Sequence, residues 1–290
     1  MAVTMVKHEG HDVEASEAFI TINDIPIYFS EDWDVGIGGG LWSTGLAMAK
    51  YFEQHADDVV NNLKRLARVK FLRNSEQRGE KWREHHDTRG RDGISALELG
   101  SGNGFLSVCL SALAAHRSIP LAELVVTDMA DHLDLMSTTL RANPHVYDLM
   151  SVIEPAGIDA VNEIEKNYDG KLSQTHAVED QQRPCSTTVV VAEHLWGEFP
   201  SDKIHSKKYD FIFGTDLAYR NSLHEPLIAS LLQFSHEHTL CLIGVTMTDT
   251  QPVFFDLLTK AGFRYEKLAD HLLEKEFRGS NFGILAIQRR

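Results

Sequence analysis

The 290 residues are 43% hydrophobic and 24% charged, which fits a soluble globular enzyme with room for insertions. A net charge of −14 opposes unassisted binding to a phosphate backbone and suits a basic protein partner. No run approaches the ~18–20 uninterrupted apolar residues of a membrane helix, and polar, acidic Met1–Glu17 lacks the apolar centre of a secretory signal.

After this leader, "AFITINDIPIYFS" alternates as a short strand or hairpin does. "EDWDVGIGGGLWSTGLAMAKYFEQH" then predicts a glycine-rich loop and an amphipathic helix that Ser43 would cap. Helical period continues over 57–72 through Val59, Val60, Leu63, Leu66 and Val69, whereas 73–93 is dense in charge and reads as an exposed connection. Residues 1–93 are therefore expected to form an N-terminal strand and helix extension, and 94–290 the main domain.

From residue 94 onward, strands and helices alternate. "SALELGSG", "LAELVVTD", "TTVVVAEHLWG", "YDFIFGTD", "TLCLIGVT" and "NFGILAIQ" read as strands. Helices are expected over 104–116, 131–142, 223–235 and 252–261, and 154–187 is a polar, weakly patterned insertion. Short β runs alternating with helices imply an α/β fold, a Rossmann-like doubly wound sheet, mostly parallel, with helices on both faces. Such sheets bind ligands beyond the carboxyl ends of their strands. Three strand ends here carry polar chemistry, at Glu98, at Thr127-Asp128 and at Thr215-Asp216.

The glycine loop runs Glu98-Leu99-Gly100-Ser101-Gly102-Asn103-Gly104-Phe105. A dinucleotide fingerprint would need glycine where Phe105 stands, and a phosphate-binding loop would need a lysine that is absent. An acid before the glycines and another, Asp128, after the next strand suit S-adenosylmethionine. That molecule offers an ammonium and a ribose diol and carries no phosphate. Glu98 would bind the ammonium directly or through water, or else pair locally. Asp128 would accept both ribose hydroxyls, its rival role being a helix cap. Fifteen scattered histidines make no zinc-type spacing, so no metal is expected. Three cysteines, Cys109, Cys185 and Cys241, lie far apart, and Cys109 and Cys241, inside apolar runs, suit buried reduced thiols of a cytoplasmic or nuclear protein.

"ALELGSGNGFLS", "VVTDMADHLDLMSTTLRAN", "HLWGE" and "YDFIFGTDLAY", in this order, resemble the seven-stranded class I methyltransferases. Within them the chain is similar to the lysine-methyltransferase-like branch, whose upstream Gly-Gly-x-x-Trp element "GGGLWS" matches at Gly39–Ser43. The resemblance covers roughly 36–52 and 94–288. It implies seven strands, S-adenosylmethionine as cofactor, S-adenosylhomocysteine as product and N-methylation of a lysine in a protein substrate. It also implies cofactor contacts from Trp42, Glu98, Gly100, Ser101, Gly102, Asp128, Met129, Trp196 and Thr215. Trp42 would fold over the cofactor or simply staple its helix, and Trp196 would flank the adenine or sit in the core. Leu133 or Leu135 could join Met129 in walling that pocket. Where the family has Asp before Trp-Gly, this chain has Leu195, leaving Glu193 or a backbone amide for the adenine amino group.

By the same resemblance Asp216 would hold the incoming amine and Tyr219 would orient it, against a plain cap and a core aromatic. Nucleic-acid amino-methylases carry two prolines at this corner, and Asp216-Leu217-Ala218-Tyr219 has neither. Histidine, arginine and small-molecule acceptors, and a non-catalytic cofactor-binding regulator, are the alternatives.

Overall fold

The computed structural model describes residues 20–78, 93–119, 121–146, 152–153, 187–198, 204, 207–279 and 281–290. Its elements begin with a hairpin of β1 (Ile20–Ile22) and β2 (Ile25–Ile27), followed by α1 (Ser43–Gln54) and α2 (Ala56–Arg78). Next come β3 (Ile94–Leu99), α3 (Phe105–His116), β4 (Leu121–Asp128), α4 (Leu133–Arg141), β5 (Val152–Ile153) and β6 (Thr188–Glu193). The remainder is β7 (Phe211–Thr215), α5 (Asn221–Phe234), β8 (Leu240–Thr246), α6 (Pro252–Lys260), β9 (Phe263–Lys267) and β10 (Phe282–Arg289).

One sheet runs β5-β6-β4-β3-β7-β8-β10-β9. Neighbours from β5 to β8 pair in parallel, and β10 runs antiparallel to both β8 and β9. Seven strands of five to eight residues form the expected sheet, and two-residue β5 adds an eighth at its edge.

Side-chain parity sorts the core into two layers. In β3, Ile94 and Ala96 join a cluster with Met48 and Phe52 of α1, Leu63 of α2 and Leu106 of α3. Leu97 and Leu99 point the other way, to Leu227 and Leu231 of α5 and Phe254 and Leu258 of α6. Both faces of β3 are buried throughout, as parallel crossovers demand. The hairpin shares the first layer through Ile22 and Ile27, so packing is continuous across residue 93.

Local chemistry moved several boundaries. Trp42, not Ser43, is the N-cap of α1, and no side chain caps that helix. Helix α2 continues to Arg78, past the expected end at 72, and 79–92 lie outside the described residues, as do 154–186. β9, "FRYEK", is an edge strand with one buried residue, too polar to stand out in the sequence. Cys109 and Cys241 are buried and unpaired, whereas Cys185 lies outside the described residues.

At the amino ends of the strands, buried Asp210 ties α2 to the sheet. Its Oδ2 accepts from Lys70 Nζ at 2.9 Å, from Ser95 N at 2.8 Å and from Ser95 Oγ at 3.0 Å, and His236 Nε2 lies 3.6 Å from Oδ1. Burial alone would raise the Asp210 carboxyl, but His236, Lys70 and the Ser95 N–H outweigh it and bring the pKa down to about 2. A shallow cleft lined by Leu66, Lys70, Asp210 and His236 lies here, at the edge opposite the glycine loop.

Candidate active site

At the carboxyl edge, Gly100 and Gly102 carry φ of 60° and 61°, and Gly104 caps α3 at φ 84°. These left-handed turns fold the loop back on the sheet, where Ser101 N donates to Thr127 O at 3.0 Å. The Thr127 hydroxyl donates to Glu98 O at 2.6 Å, so the ends of β3 and β4 are tied together. A side chain at Gly100 would strike Leu217 Cδ2 at 2.7 Å and the Trp196 ring at 2.9 Å. Trp196 is half-buried, lies directly on the glycine loop and also packs against the second core layer.

Asp128 is held at both oxygens. Oδ2 accepts from Gly102 N and Oδ1 from Met129 N, each at 2.7 Å, and His132 Nδ1 lies 3.6 Å from Oδ1. Burial raises its pKa, while those two amides and His132 pull it back. Two amide contacts leave further lone pairs on the carboxylate for outside donors. Beside it, Met129 and Leu195 are 45% and 39% exposed at the ends of adjacent strands, and His194 N donates to Asp128 O at 2.9 Å. Glu193 is exposed, Leu133 is half-buried and Leu135 is buried.

Glu98 has even parity in β3 and so turns onto the α3 face, where it is 2% exposed and accepts from the Ser107 hydroxyl. Burial pushes its pKa up to about 8, with the Ser107 and Ser101 hydroxyls restraining the rise. The bond to Ser107 is the local pairing that the sequence allowed as an alternative to a direct or water-mediated ammonium contact.

The corner after β7 is built differently. Asp216 adopts φ 55°, a left-handed conformation that aspartate tolerates better than bulkier residues. Its Oδ1 accepts from Thr44 Oγ1 at 3.0 Å and Thr246 Oγ1 at 2.9 Å, whereas Oδ2 is buried with no hydrogen-bond partner. Burial raises its pKa and the two threonine hydroxyls oppose the rise. Neither threonine stood out in the sequence. Gly244 makes the meeting possible, since a side chain there would sit 2.8 Å from both Thr44 Cγ2 and Thr215 Cγ2. Thr215 is half-buried in this corner, and half-buried Tyr219 follows with the Arg220 guanidinium 5.3 Å over its ring.

The glycine-rich segment before α1 lies across the loop. A side chain at Gly102 would meet Gly38 O at 2.4 Å, and one at Gly38 would meet buried His132 Nε2 at 2.6 Å. Trp42, expected over the cofactor, stands exposed at the rim with Nε1 donating to Ile37 O at 2.7 Å. Thus Asp128, the glycine loop, Trp196, Thr215 and Asp216 share one strand edge, while Glu98 sits beneath it. This edge fits S-adenosylmethionine: its turns are made at Gly100, Gly102 and Gly104, Asp128 keeps spare lone pairs and Asp216 Oδ2 is unpartnered. Among the described residues no group of three or more His, Cys, Asp and Glu could hold a metal ion, and no helix is long and apolar enough to cross a membrane.

The chain is similar to the protein N-terminal and lysine N-methyltransferase EFM7 of Gibberella zeae, 24% identical over 213 residues, which covers 68% of this chain and 67% of that protein. It is also similar to the solved ribosomal protein L11 methylase of Lactobacillus delbrueckii subsp. bulgaricus, at 13% identity and a TM-score of 0.40 over 79% of each chain. A TehB-like SAM-dependent methyltransferase of Corynebacterium glutamicum shares 14% identity, with a TM-score of 0.39 over 77% of this chain and 96% of that one. The pattern of the lysine methyltransferase family matches residues 21–172 and 160–261, well over half of the sequence. The chain therefore belongs to the lysine methyltransferase family and is an S-adenosylmethionine-dependent protein methyltransferase.

Proposed function

We propose that methyl transfer to a lysine amine takes place at the corner formed by Thr44, Asp216 and Thr246. The supporting observation is the buried, unpartnered Asp216 Oδ2 beside an Oδ1 already held by two hydroxyls. Bound S-adenosylmethionine supplies a methyl group on a cationic sulfur, open to in-line displacement. Gly100, Ser101 and Gly102 would cradle it with backbone, and Asp128 would accept the ribose hydroxyls. Met129, Leu195 and Trp196 would flank the adenine, and Thr215 and Trp42 would border the reacting end. Glu98 would hold the loop from below through Ser107.

For its part, Asp216 accepts an N–H of the incoming amine and fixes its direction, with the two threonines preventing rotation of the carboxylate. Burial makes this aspartate a stronger proton acceptor than a solvated one, which suits an amine that must shed a proton before it can attack. Tyr219 lines the approach. A protein acceptor accords with the acidic chain, and two buried free thiols accord with a reducing cytoplasmic or nuclear setting.

Calorimetry with S-adenosylhomocysteine tests the cofactor half of this reading. Wild type should bind, and Asp128→Ala should bind at least about tenfold more weakly, the worth of one charge-assisted hydrogen bond. Binding of NAD in its place overturns the assignment. Digestion of labelled lysate protein followed by mass spectrometry identifies the acceptor. Methyl groups confined to histidine, arginine or an α-amine would overturn lysine.

A further inference from the structure

We infer that Trp33, Trp42 and the carboxylates beside them form a docking surface for a cationic, lysine-rich segment of the protein substrate, an inference that rests on the methyltransferase reading above. Trp33, Ile37 and Trp42 are 54%, 48% and 44% exposed, an unusual concentration of open apolar side chains. The two indoles meet edge to face with centroids 6.2 Å apart, and each leaves about half of its surface open. Their positions are fixed. Trp33 lies on the backbone of Gly40, where a side chain would come within 2.0 Å of its ring, and Trp42 Nε1 is tied to Ile37 O.

Location connects this surface to the chemistry. Gly38, between the two tryptophans in sequence, rests on Gly102 of the glycine loop, and Thr44, two residues beyond Trp42, bonds Asp216. A segment seated on the indoles is thereby held at the rim of the corner that receives the amine.

Charge selects the occupant. Residues 20–49 contain Asp24, Glu31, Asp32 and Asp34 and no lysine or arginine. Glu31 Oε1 accepts from Leu41 N, and Asp32 Oδ1 from Asp34 N. Exposed Asp34 has no side-chain partner among the described residues. Open indole faces flanked by carboxylates attract ammonium groups through cation–π and Coulomb terms together. The same acidity repels a second copy of a chain carrying −14.

Fluorescence anisotropy of a short acetylated peptide of alternating lysine and glycine, with its glutamate counterpart as control, tests this on the full chain saturated with S-adenosylhomocysteine. The lysine peptide should bind, more weakly as salt rises, and the glutamate peptide should not. Trp33→Ala and Asp34→Asn should each weaken binding about two- to five-fold. Asp34→Asn leaves the indole packing intact, so it stands if Trp33→Ala disturbs the loop, and its melting temperature and S-adenosylhomocysteine affinity should match wild type. Equal binding of the two peptides, or wild-type peptide binding in Asp34→Asn, overturns the docking surface alone. Self-association of wild type that Trp33→Ala abolishes assigns the patch to a second copy and also overturns it. Failure of wild type to bind S-adenosylhomocysteine overturns the methyltransferase reading and this inference with it.

Discussion

Thr44 Oγ1 lies 3.0 Å from Asp216 Oδ1, joining residues 172 positions apart at the first turn of α1 and the end of β7. The same threonine lies 3.3 Å from Thr246 Oγ1, which itself donates to Asp216 Oδ1. A left-handed backbone at Asp216 aims the carboxylate into this pair, and the two hydroxyls offset the cost of holding a non-glycine residue there.

Replacing Asp216 by Asn removes the charge while keeping the shape. Methyl transfer should fall by about two orders of magnitude or more, the range of a lost acid–base group, with S-adenosylhomocysteine affinity retained. Thr44→Val and Thr246→Val each delete one hydroxyl, worth about 1 kcal/mol, and should slow transfer about five-fold. The double variant should lose less than the product of the single losses, because both act through one carboxylate. Single-turnover rates and calorimetry check all four variants, and full turnover in Asp216→Asn would make this residue a structural cap.

Gly102→Ala meets two obstacles, a φ of 61° and the carbonyl of Gly38 at 2.4 Å. Gly262 has φ 86° with nothing within 4 Å of an added Cβ, so its alanine variant faces conformational strain alone. The expected cost at Gly262 is about 1–2 kcal/mol. Gly102→Ala should cost more and should also weaken cofactor binding, since the segment over the loop must shift. Denaturant titration of both variants measures the difference.

Glu98 gives stability a descending dependence on pH. Its folded pKa of about 8 lies above the unfolded value of about 4.3, so native protein holds the extra proton between them. The contribution is complete below the unfolded value and is lost as pH rises through about 8. Glu98→Gln, neutral at every pH, should therefore melt above wild type at pH 8, with the gap closing toward pH 4. A gap that persists at pH 4 would assign the effect to packing rather than ionisation.

Asp210 works in the opposite sense. Its folded pKa of about 2 lies below the unfolded value of about 3.9, so its contribution of ~2 kcal/mol is present above the unfolded value and disappears as pH falls through about 2. Lys70→Met removes one of the cations responsible and should move acid unfolding to higher pH, followed by circular dichroism. Unchanged acid unfolding would show that His236 and the Ser95 amide suffice.

The apolar strands and the glycine loop were legible because buried parallel strands read as continuous Val, Ile and Leu runs and tight turns need glycine. Asp128 and Asp216 were legible as acids at strand ends. Thr44 and Thr246 were not, since hydroxyl residues are common and only folding brings positions 202 apart within 3.3 Å. The inward turn of Glu98 was recoverable from parity alone, as Ala96 on the same side of β3 faces α3. β9 and the charged end of α2 were missed for one reason. Both are rich in charged residues and carry little apolar periodicity, the signal on which a sequence reading of strands and helices depends.

With Asp216 as the proposed amine acceptor, the Thr44–Asp216–Thr246 triangle also sets when the enzyme becomes competent. Thr44 lies 172 positions from Asp216 and 202 from Thr246, whereas those two are 30 apart, so no local piece of the fold contains all three corners. Contacts of such sequence separation are among the slowest to form, because their loop-closure entropy is met only after the intervening sheet has assembled. During refolding, recovery of helical signal should run ahead of recovery of methyl transfer. The corner proposed for catalysis is thus a late checkpoint on the whole domain, sensitive to a defect in α1 as much as to one in β7 or β8.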